Sequence, residues 1–241
     1  MNRTIRTTED VLALLDRLFP PAADRWTSDA SAWWDGFYAD RSAGRPFFVP
    51  KPDEHLVSYL DRGLVAPGGR ALDLGCGPGR NALHLAALGF DVDAVDLSPA
   101  AVAWAEERAA ASGLGPRFHC GNIFDVELPH ARYDLVLDSG CLHHLPPHRR
   151  VGYLALLDRV LAPGGHFVLS TFAAGAMGSE RPDEDLYRVG GLEGGLAYAP
   201  EELRALFADF EPVEIRPMAE QSPDSPLFGV PFLLTALFRR P

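Results

Sequence analysis

The sequence has no apolar run of about 18 residues, the length that a helix needs to cross a bilayer. Its first segment, MNRTIRTTED, contains basic residues but no apolar core after them, so it does not fit a secretory signal peptide. These two absences predict a cytoplasmic protein that makes no use of a membrane.

Cysteine is scarce, since Cys76, Cys120 and Cys141 are the only three and lie far apart in the chain. No CxxC pair of the kind that binds zinc is present. His143, His144 and His148 have no acidic residue at a spacing that would complete a metal site. We therefore expect reduced, structural thiols and no metal.

Positive charge is also in short supply, because 22 Lys and Arg face 33 Asp and Glu and leave a net charge of −11. Such a chain repels a phosphate backbone unless its basic residues cluster, and here they are scattered. We expect no nucleic-acid partner. The 241 residues, 47% of them hydrophobic, suffice for one large core, which predicts a single domain.

Strand and helix patterns alternate along most of the chain, which is typical of a parallel sheet with helices on both faces. Two strands near the end have no helix between them and predict an antiparallel hairpin. The expected fold is a doubly wound α/β, mostly parallel, seven-stranded Rossmann-like sheet. The predicted strands are 71–75, 91–96, 117–121, 133–138, 166–172, 212–217 and 230–238, and the helices are 80–89, 99–112, 147–161 and one from Pro200, after a loop at 173–198.

The N-terminal part differs from this pattern and predicts a helical, aromatic cap. Residues 8–19 have the apolar spacing of an amphipathic helix, and residues 26–52 are rich in aromatic side chains among Gly and Pro. We expect residues 1–55 to form a lid of the same domain over a core at 56–241. Aromatic faces in a lid attract cations, although plain packing explains them as well. These side chains are Trp33, Trp34, Phe37, Tyr38, Phe47 and Phe48.

A glycine-rich turn, LDLGCGPG at residues 72–79, joins a strand to a helix. Glycines let the backbone turn sharply and approach a ligand above the strand ends. A dinucleotide loop has the spacing GxGxxG, whereas here the spacing is GxGxG and Arg80 occupies the place of the third glycine. Asp73 would repel a pyrophosphate but can hold an ammonium group, so an aminoacyl ligand fits this turn better.

Further segments extend the pattern beyond the glycines. Asp96 ends the second strand about 20 residues after the loop, where its carboxylate can accept both hydroxyls of a ribose. With the segments GNIFD at 121–125, YDLVLDSG at 133–140 and LAPGGH at 161–166, the chain closely resembles class I S-adenosylmethionine-dependent methyltransferases over roughly residues 56–238. The segments at 37–57 and 133–150 resemble a bacterial small-molecule branch of that family.

The resemblance implies S-adenosylmethionine as cofactor and assigns its contacts. The glycine loop would carry the methionine part and Asp96 the ribose, while Leu97 packs on the adenine. Asn122 stands where the family more often has Asp; its amide oxygen can still accept from the adenine amine, although it also fits a plain turn residue. The cofactor residues implied are Asp73, Gly75, Cys76, Gly77, Gly79, Asp96, Leu97, Asn122, Ile123, Asp138 and Ser139, with Tyr38 contributed by the lid.

His143 and His144 follow the fourth strand, and the resemblance directs them toward the methyl group and the acceptor. Imidazole titrates near physiological pH, so either ring can take a proton from a phenol, thiol or ammonium acceptor. The same pair, followed by Leu145, Pro146 and Pro147, equally fits a turn with no catalytic part.

The function implied is transfer of a methyl group to an O, N or S atom of a small molecule by a monomer or homodimer. Two alternatives stay open: other chemistry with the same cofactor, such as its cyclisation, and a cofactor-binding protein without catalysis. An NAD(P)-dependent oxidoreductase is disfavoured by Arg80 and Asp73 at the glycine loop.

Overall fold

A computed structural model of the protein describes residues 5–241; residues 1–4 of the predicted cap lie outside the described part. One mixed sheet forms the centre. Its strands are β1 (Arg70–Leu74), β2 (Asp91–Asp96), β3 (Arg117–Cys120), β4 (Tyr133–Ser139), β5 (Leu161–Ala173), β6 (Ala197–Tyr198), β7 (Glu211–Pro217) and β8 (Leu233–Arg239). Their order in the sheet is β3-β2-β1-β4-β5-β8-β7, and the short β6 pairs with β5.

Helices cover both faces of this sheet, as the alternating pattern predicts. They are α1 (Thr8–Asp16), α2 (Ser31–Ala39), α3 (Glu54–Asp61), α4 (Arg80–Ala87), α5 (Pro99–Ser112), α6 (Arg149–Val160), α7 (Asp183–Val189) and α8 (Pro200–Leu206). None of them, within residues 5–241, has the length and hydrophobicity that a membrane span requires.

The central strands are buried on both sides because each of their residues packs on one helical layer or the other. Leu72, Val136 and Phe167 belong to the larger core on one face. Their neighbours in the chain, Ala71, Leu135 and Val168, belong to the core on the opposite face. Because β1, β2, β3, β4 and β5 pair in parallel, their carboxyl ends lie together at one edge of the sheet.

The mostly parallel α/β fold and its C-terminal antiparallel hairpin are confirmed. β8 runs antiparallel to both β5 and β7 and lies between them. The segment 173–198 is not simply a loop: it contains α7 and β6, so the sheet has eight strands rather than seven. Short strands such as β6 depend on pairing with a distant neighbour, here Phe172 and Ala173, which local spacing does not reveal.

Both α1 and α2 attach the N-terminal segment to the core. The Asp16 carboxylate, at the end of α1, accepts hydrogen bonds from the Trp26 indole at 2.7 Å, from His148 at 2.7 Å and from the guanidinium of Arg149. Helix α2 packs on α5 through an aromatic cluster that includes Tyr38 and Trp104. The segment therefore covers the carboxyl edge of the parallel strands.

Candidate active site

The glycine loop after β1 has the backbone geometry that only glycine adopts freely. Gly75, Gly77 and Gly79 have φ angles of 70°, 52° and 75°. A Cβ atom at Gly75 would lie 3.0 Å from the Cys141 side chain, and one at Gly77 would lie 3.0 Å from the Tyr38 hydroxyl. The loop is therefore a tight cradle closed from above by the aromatic helix α2.

Asp73 lies beneath this loop with no hydrogen-bond partner among the described residues. Its side chain is 1% exposed, and both carboxylate oxygens are buried and unpaired. Burial, and after it the nearby acids Asp53, Asp138 and Asp96, raises the pKa of Asp73 to about 8 against the opposing charge of Arg80. An isolated buried carboxyl group is costly, so this site favours a cationic partner.

Asp96 ends β2 and connects the glycine loop to the next helix. One carboxylate oxygen accepts the N–H of Gly77 at 2.8 Å and the other accepts the N–H of Ser98 at 2.9 Å. Burial raises the pKa of Asp96 to about 6 in spite of these bonds. Each oxygen keeps a second lone pair, so the group can still accept hydroxyl donors from the cavity.

A cavity of about 350 Å³ opens between the strand ends and the cap. Its size falls in the usual range for small-molecule sites. The predicted residues that line it are Tyr38, Gly75, Asp96, Leu97, Asn122, Ile123, Ser139, His143 and His144, together with Cys141. Asp73, Cys76, Gly77, Gly79 and Asp138 lie behind this wall, in the loop or under it.

Asn122 is held in one orientation at the cap side of the cavity. Its amide nitrogen donates to the Trp26 carbonyl at 2.8 Å, and its amide oxygen accepts the N–H of Phe124 at 3.1 Å. The cap and the turn after β3 are thereby joined. One lone pair of the amide oxygen is left for a further donor.

Asp138 supports the turn after β4 instead of facing the cavity. Its carboxylate is fully buried and accepts the N–H groups of Cys141 at 2.7 Å and Leu142 at 3.0 Å, and the Tyr153 hydroxyl at 2.6 Å. Burial raises its pKa to about 6. Three donors from the protein bind this carboxylate, so its geometry suits holding the following residues in place.

The two histidines carried by that turn are uncharged at neutral pH. His143 stacks on Phe172 with ring centroids 3.8 Å apart, and His144 meets the Trp34 ring edge-on at 5.0 Å. Burial lowers the pKa of His144 to about 4, assisted by the charge of Arg25, and burial lowers that of His143 well below its usual value. Both rings are thus available as neutral bases, but weak ones.

Sequence reasoning missed a buried ion pair at the same edge of the sheet. Arg80 pairs with Asp53 and donates to the Ser139 hydroxyl at 2.9 Å, and Ser139 donates to Asp53 at 2.7 Å. Local spacing identified Arg80 only as a departure from GxGxxG. Its partner lies 27 residues away in the chain, so no local signal could have found it.

Lid residues are divided between the cavity and the surface. Tyr38, Trp34 and Phe37 line the cavity. Arg41 pairs with Glu107 on the surface, and Lys51 donates to the Pro223 carbonyl at 2.6 Å. Within residues 5–241 no three potential metal ligands cluster.

These features fit S-adenosylmethionine. The unpaired Asp73 matches an ammonium group, the glycine cradle leaves no room for side chains, and Asp96 presents carboxylate oxygens to the cavity beside Leu97 and Asn122. Neither Cys76 nor Cys141 offers a thiolate, because burial raises the pKa of both thiols.

Residues 71–165 match the family model described as a methyltransferase domain. A 2-heptyl-1-hydroxyquinolin-4(1H)-one methyltransferase of Mycobacteroides abscessus is 30% identical over 132 residues, which are 54% of this chain and 57% of that relative. The alignment therefore spans little more than half of the relative.

Solved structures share this fold over most of the chain. A chain solved in work on conversion of a disulfide bond into a thioacetal group during echinomycin biosynthesis has a TM-score of 0.69 and 26% identity, covering 88% of this chain and 91% of that one. The 1,6-didemethyltoxoflavin-N1-methyltransferase of Burkholderia thailandensis, with bound 1,6-didemethyltoxoflavin and S-adenosylhomocysteine, has a TM-score of 0.58 and 24% identity, covering 100% and 93%.

Proposed function

Because the chain belongs to the class I S-adenosylmethionine-dependent methyltransferases, we propose that it methylates an O, N or S atom of an aromatic small molecule. One observation carries the proposal: a single cavity extends from Asp96 and Asn122 to His143 and His144 under an aromatic cap. Cofactor and acceptor would therefore meet in the space that these residues enclose.

S-adenosylmethionine, when bound, supplies a methyl group on a positively charged sulfur that departs as a neutral sulfide. We assign Asp96 to the ribose, Asn122 and Ile123 to the adenine, and the loop of Gly75, Cys76, Gly77 and Gly79, with Asp73 below it, to the methionine part. Tyr38 closes this end, since its hydroxyl lies against Gly77. Ser139 lines the same part of the cavity, and Asp138 fixes its turn.

The acceptor side has the chemistry for an aromatic ring. Rings from the cap, Trp33, Trp34, Phe37 and Phe47, line the cavity together with Phe172 and Phe232. Aromatic pairs favour stacked or edge-on contacts, which orient a flat ligand and exclude water. A bicyclic nitrogen heterocycle, 2-heptyl-1-hydroxyquinolin-4(1H)-one, is named as the substrate of the Mycobacteroides abscessus relative, which supports the same acceptor class here.

We assign His143 and His144 to the acceptor end, where a neutral imidazole can accept a proton if the acceptor carries one. We also propose that residues 1–55 act as a lid over the core at residues 56–241, within the same domain. We further propose a cytoplasmic monomer or homodimer with no nucleic-acid or membrane partner, in line with the net charge of −11.

A methyl-transfer screen tests the proposal. The protein is incubated with methyl-labelled S-adenosylmethionine and a panel of phenols, thiols, hydroxyquinolones and heterocyclic amines, and the cofactor product is identified by mass spectrometry. We expect S-adenosylhomocysteine together with a methylated aromatic acceptor. Methylthioadenosine would indicate cyclisation or another non-methyl reaction, and no turnover with any acceptor would favour a cofactor-binding protein without catalysis.

A further inference from the structure

Arg25 is a cation on the wall of the acceptor end of the cavity. Its guanidinium lies over the Trp33 ring, 3.7 Å from the centroid. Its positive charge also contributes to the low pKa of His144. Arg25 therefore places a positive charge beside the histidines and the aromatic rings of the cap.

The guanidinium has unused donors. Its Nη1 donates to the carbonyls of Ala22 at 3.0 Å and Asp24 at 2.5 Å, while Nε and Nη2 donate to no described residue. The carboxylate of the neighbouring acid, Asp24, accepts hydrogen bonds from the N–H of Trp26, at 2.9 Å, and from the N–H of Thr27. The free nitrogens of an arginine form a flat fork that matches two oxygens of an acid.

Of the cations on the cavity wall, Arg25 is the one without an ion pair among the described residues. Three charged side chains line it among the described residues: Arg25, Arg80 and Asp96. Arg80 is paired with Asp53, and Asp96 accepts two backbone N–H groups. Arg25 is partly buried, and this loss of water lowers its pKa, so an anion bound beside it would stabilise its charge.

We infer that Arg25 recognises a negatively charged group on the aromatic acceptor, a carboxylate or an ionised hydroxyl. The two carbonyls and the Trp33 ring fix the guanidinium at the cavity wall, and its free donors bind the acidic oxygens. This inference rests on the proposed function, and it narrows the acceptor class to aromatic acids.

A matched pair of probes tests this. 8-Anilinonaphthalene-1-sulfonate and N-phenyl-1-naphthylamine share the same rings and differ in the sulfonate. Each is titrated by fluorescence into the full chain saturated with S-adenosylhomocysteine, whose binding is first measured by calorimetry. The variants are Arg25→Gln, Arg25→Lys and, as a control, Arg45→Gln, since Arg45 also covers a cap ring, Phe37, at 3.6 Å but does not line the cavity.

We expect the wild type to prefer the sulfonate, and Arg25→Gln to weaken sulfonate binding about tenfold while leaving the neutral probe within about twofold. Arg25→Lys should keep most of the preference, and Arg45→Gln all of it. Equal binding of both probes by the wild type, no binding of either, or a preference that survives in Arg25→Gln would overturn the inference alone. Absence of S-adenosylhomocysteine binding would overturn the proposed function with it.

Discussion

The hydroxyl of Ser98 donates a 2.5 Å hydrogen bond to the carboxylate of Asp35, which ties the first turn of α5 to the cap helix α2. The same Asp35 oxygen accepts the N–H of Ala100 at 3.0 Å. The N–H of Ser98 in turn donates to Asp96. The cap is thus attached directly beside the proposed ribose ligand, so its position and cofactor binding are coupled.

Asp35→Ala should loosen the cap. The substitution removes an acceptor for donors at the N-terminus of α5, which should lower the free energy of unfolding by about 1 kcal/mol. Because Asp35 belongs to α2, we expect α2 to detach more readily. Hydrogen exchange followed by mass spectrometry should show faster exchange in residues 31–39. Asp29→Ala, which alters an exposed acid in the same segment, is the control; equal exchange of α2 in the two variants would contradict the role of Asp35.

The buried, unpaired Asp73 predicts a pH-dependent penalty on folding. Its pKa in the folded protein is about 8 against 3.8 for an ordinary Asp, so the folded state holds more protons between these values. The contribution of Asp73 to the free energy of unfolding therefore falls as pH rises from about 4 to about 8. Asp73→Asn, which cannot ionise, should gain stability relative to the wild type over this interval in urea unfolding.

The same group links cofactor binding to proton release. An ammonium group above Asp73 favours the carboxylate, so binding of S-adenosylmethionine at pH 7 should release a proton. Calorimetry in buffers of different ionisation enthalpy measures this number. It should fall toward zero in Asp73→Asn; an unchanged value in that variant would show that the proton comes from another group.

His143 and His144 should remain neutral well below the usual range of imidazole. Burial lowers the pKa of both, to about 4 for His144. In an NMR titration from pH 8 to pH 5 their ring signals, assigned with His143→Gln and His144→Gln, should not move. A midpoint near 6.5 for either ring would mean that the ring is exposed to water in solution.

Asp16 should be the main attachment of α1 to the core. Hydrogen bonds from His148 and Arg149 hold its pKa well below the ordinary value against the effect of burial. Asp16→Ala leaves the buried Arg149 without this partner and should lower the free energy of unfolding by about 2–3 kcal/mol. That stabilisation is present above pH 4 and is lost as the pH falls through the lowered pKa.

Glu9→Gln provides the comparison, because Glu9 also pairs with Arg149 but its side chain is 65% exposed. Exposed pairs contribute little, so this variant should unfold almost as the wild type does. If both substitutions had the same effect on the denaturation midpoint, Asp16 would not be the main attachment of α1 to the core.

The sequence predicted the parts of the fold that depend on neighbouring residues. Alternating patterns located the central strands, and the glycine spacing with Asp73 and Asp96 located the loop and the acid that lie together at the sheet edge. The final strands were predicted as a hairpin because no helix separates them. Each of these signals lies within a few residues of the feature that it predicts.

The features that escaped prediction join distant parts of the chain. Arg80 meets Asp53, Asn122 meets Trp26, and Arg25 reaches the cavity from the cap. β6 forms only where β5 passes it. Likewise Asp138 lies at the end of the expected strand, but whether its side chain faces the cavity or the next turn depends on Tyr153, which belongs to α6. Such pairings are set by tertiary packing.

The most direct measurement is a calorimetric titration of S-adenosylmethionine into the wild type, Asp96→Asn and Asp91→Asn. Asp91 begins the same strand and its carboxylate faces the surface, where it pairs with Arg117 at 2.6 Å, so that variant is the control. We predict one site per chain, binding at least about tenfold weaker in Asp96→Asn, and no change in Asp91→Asn. No binding by the wild type, or equal binding by all three proteins, would contradict the site described at the glycine loop and Asp96.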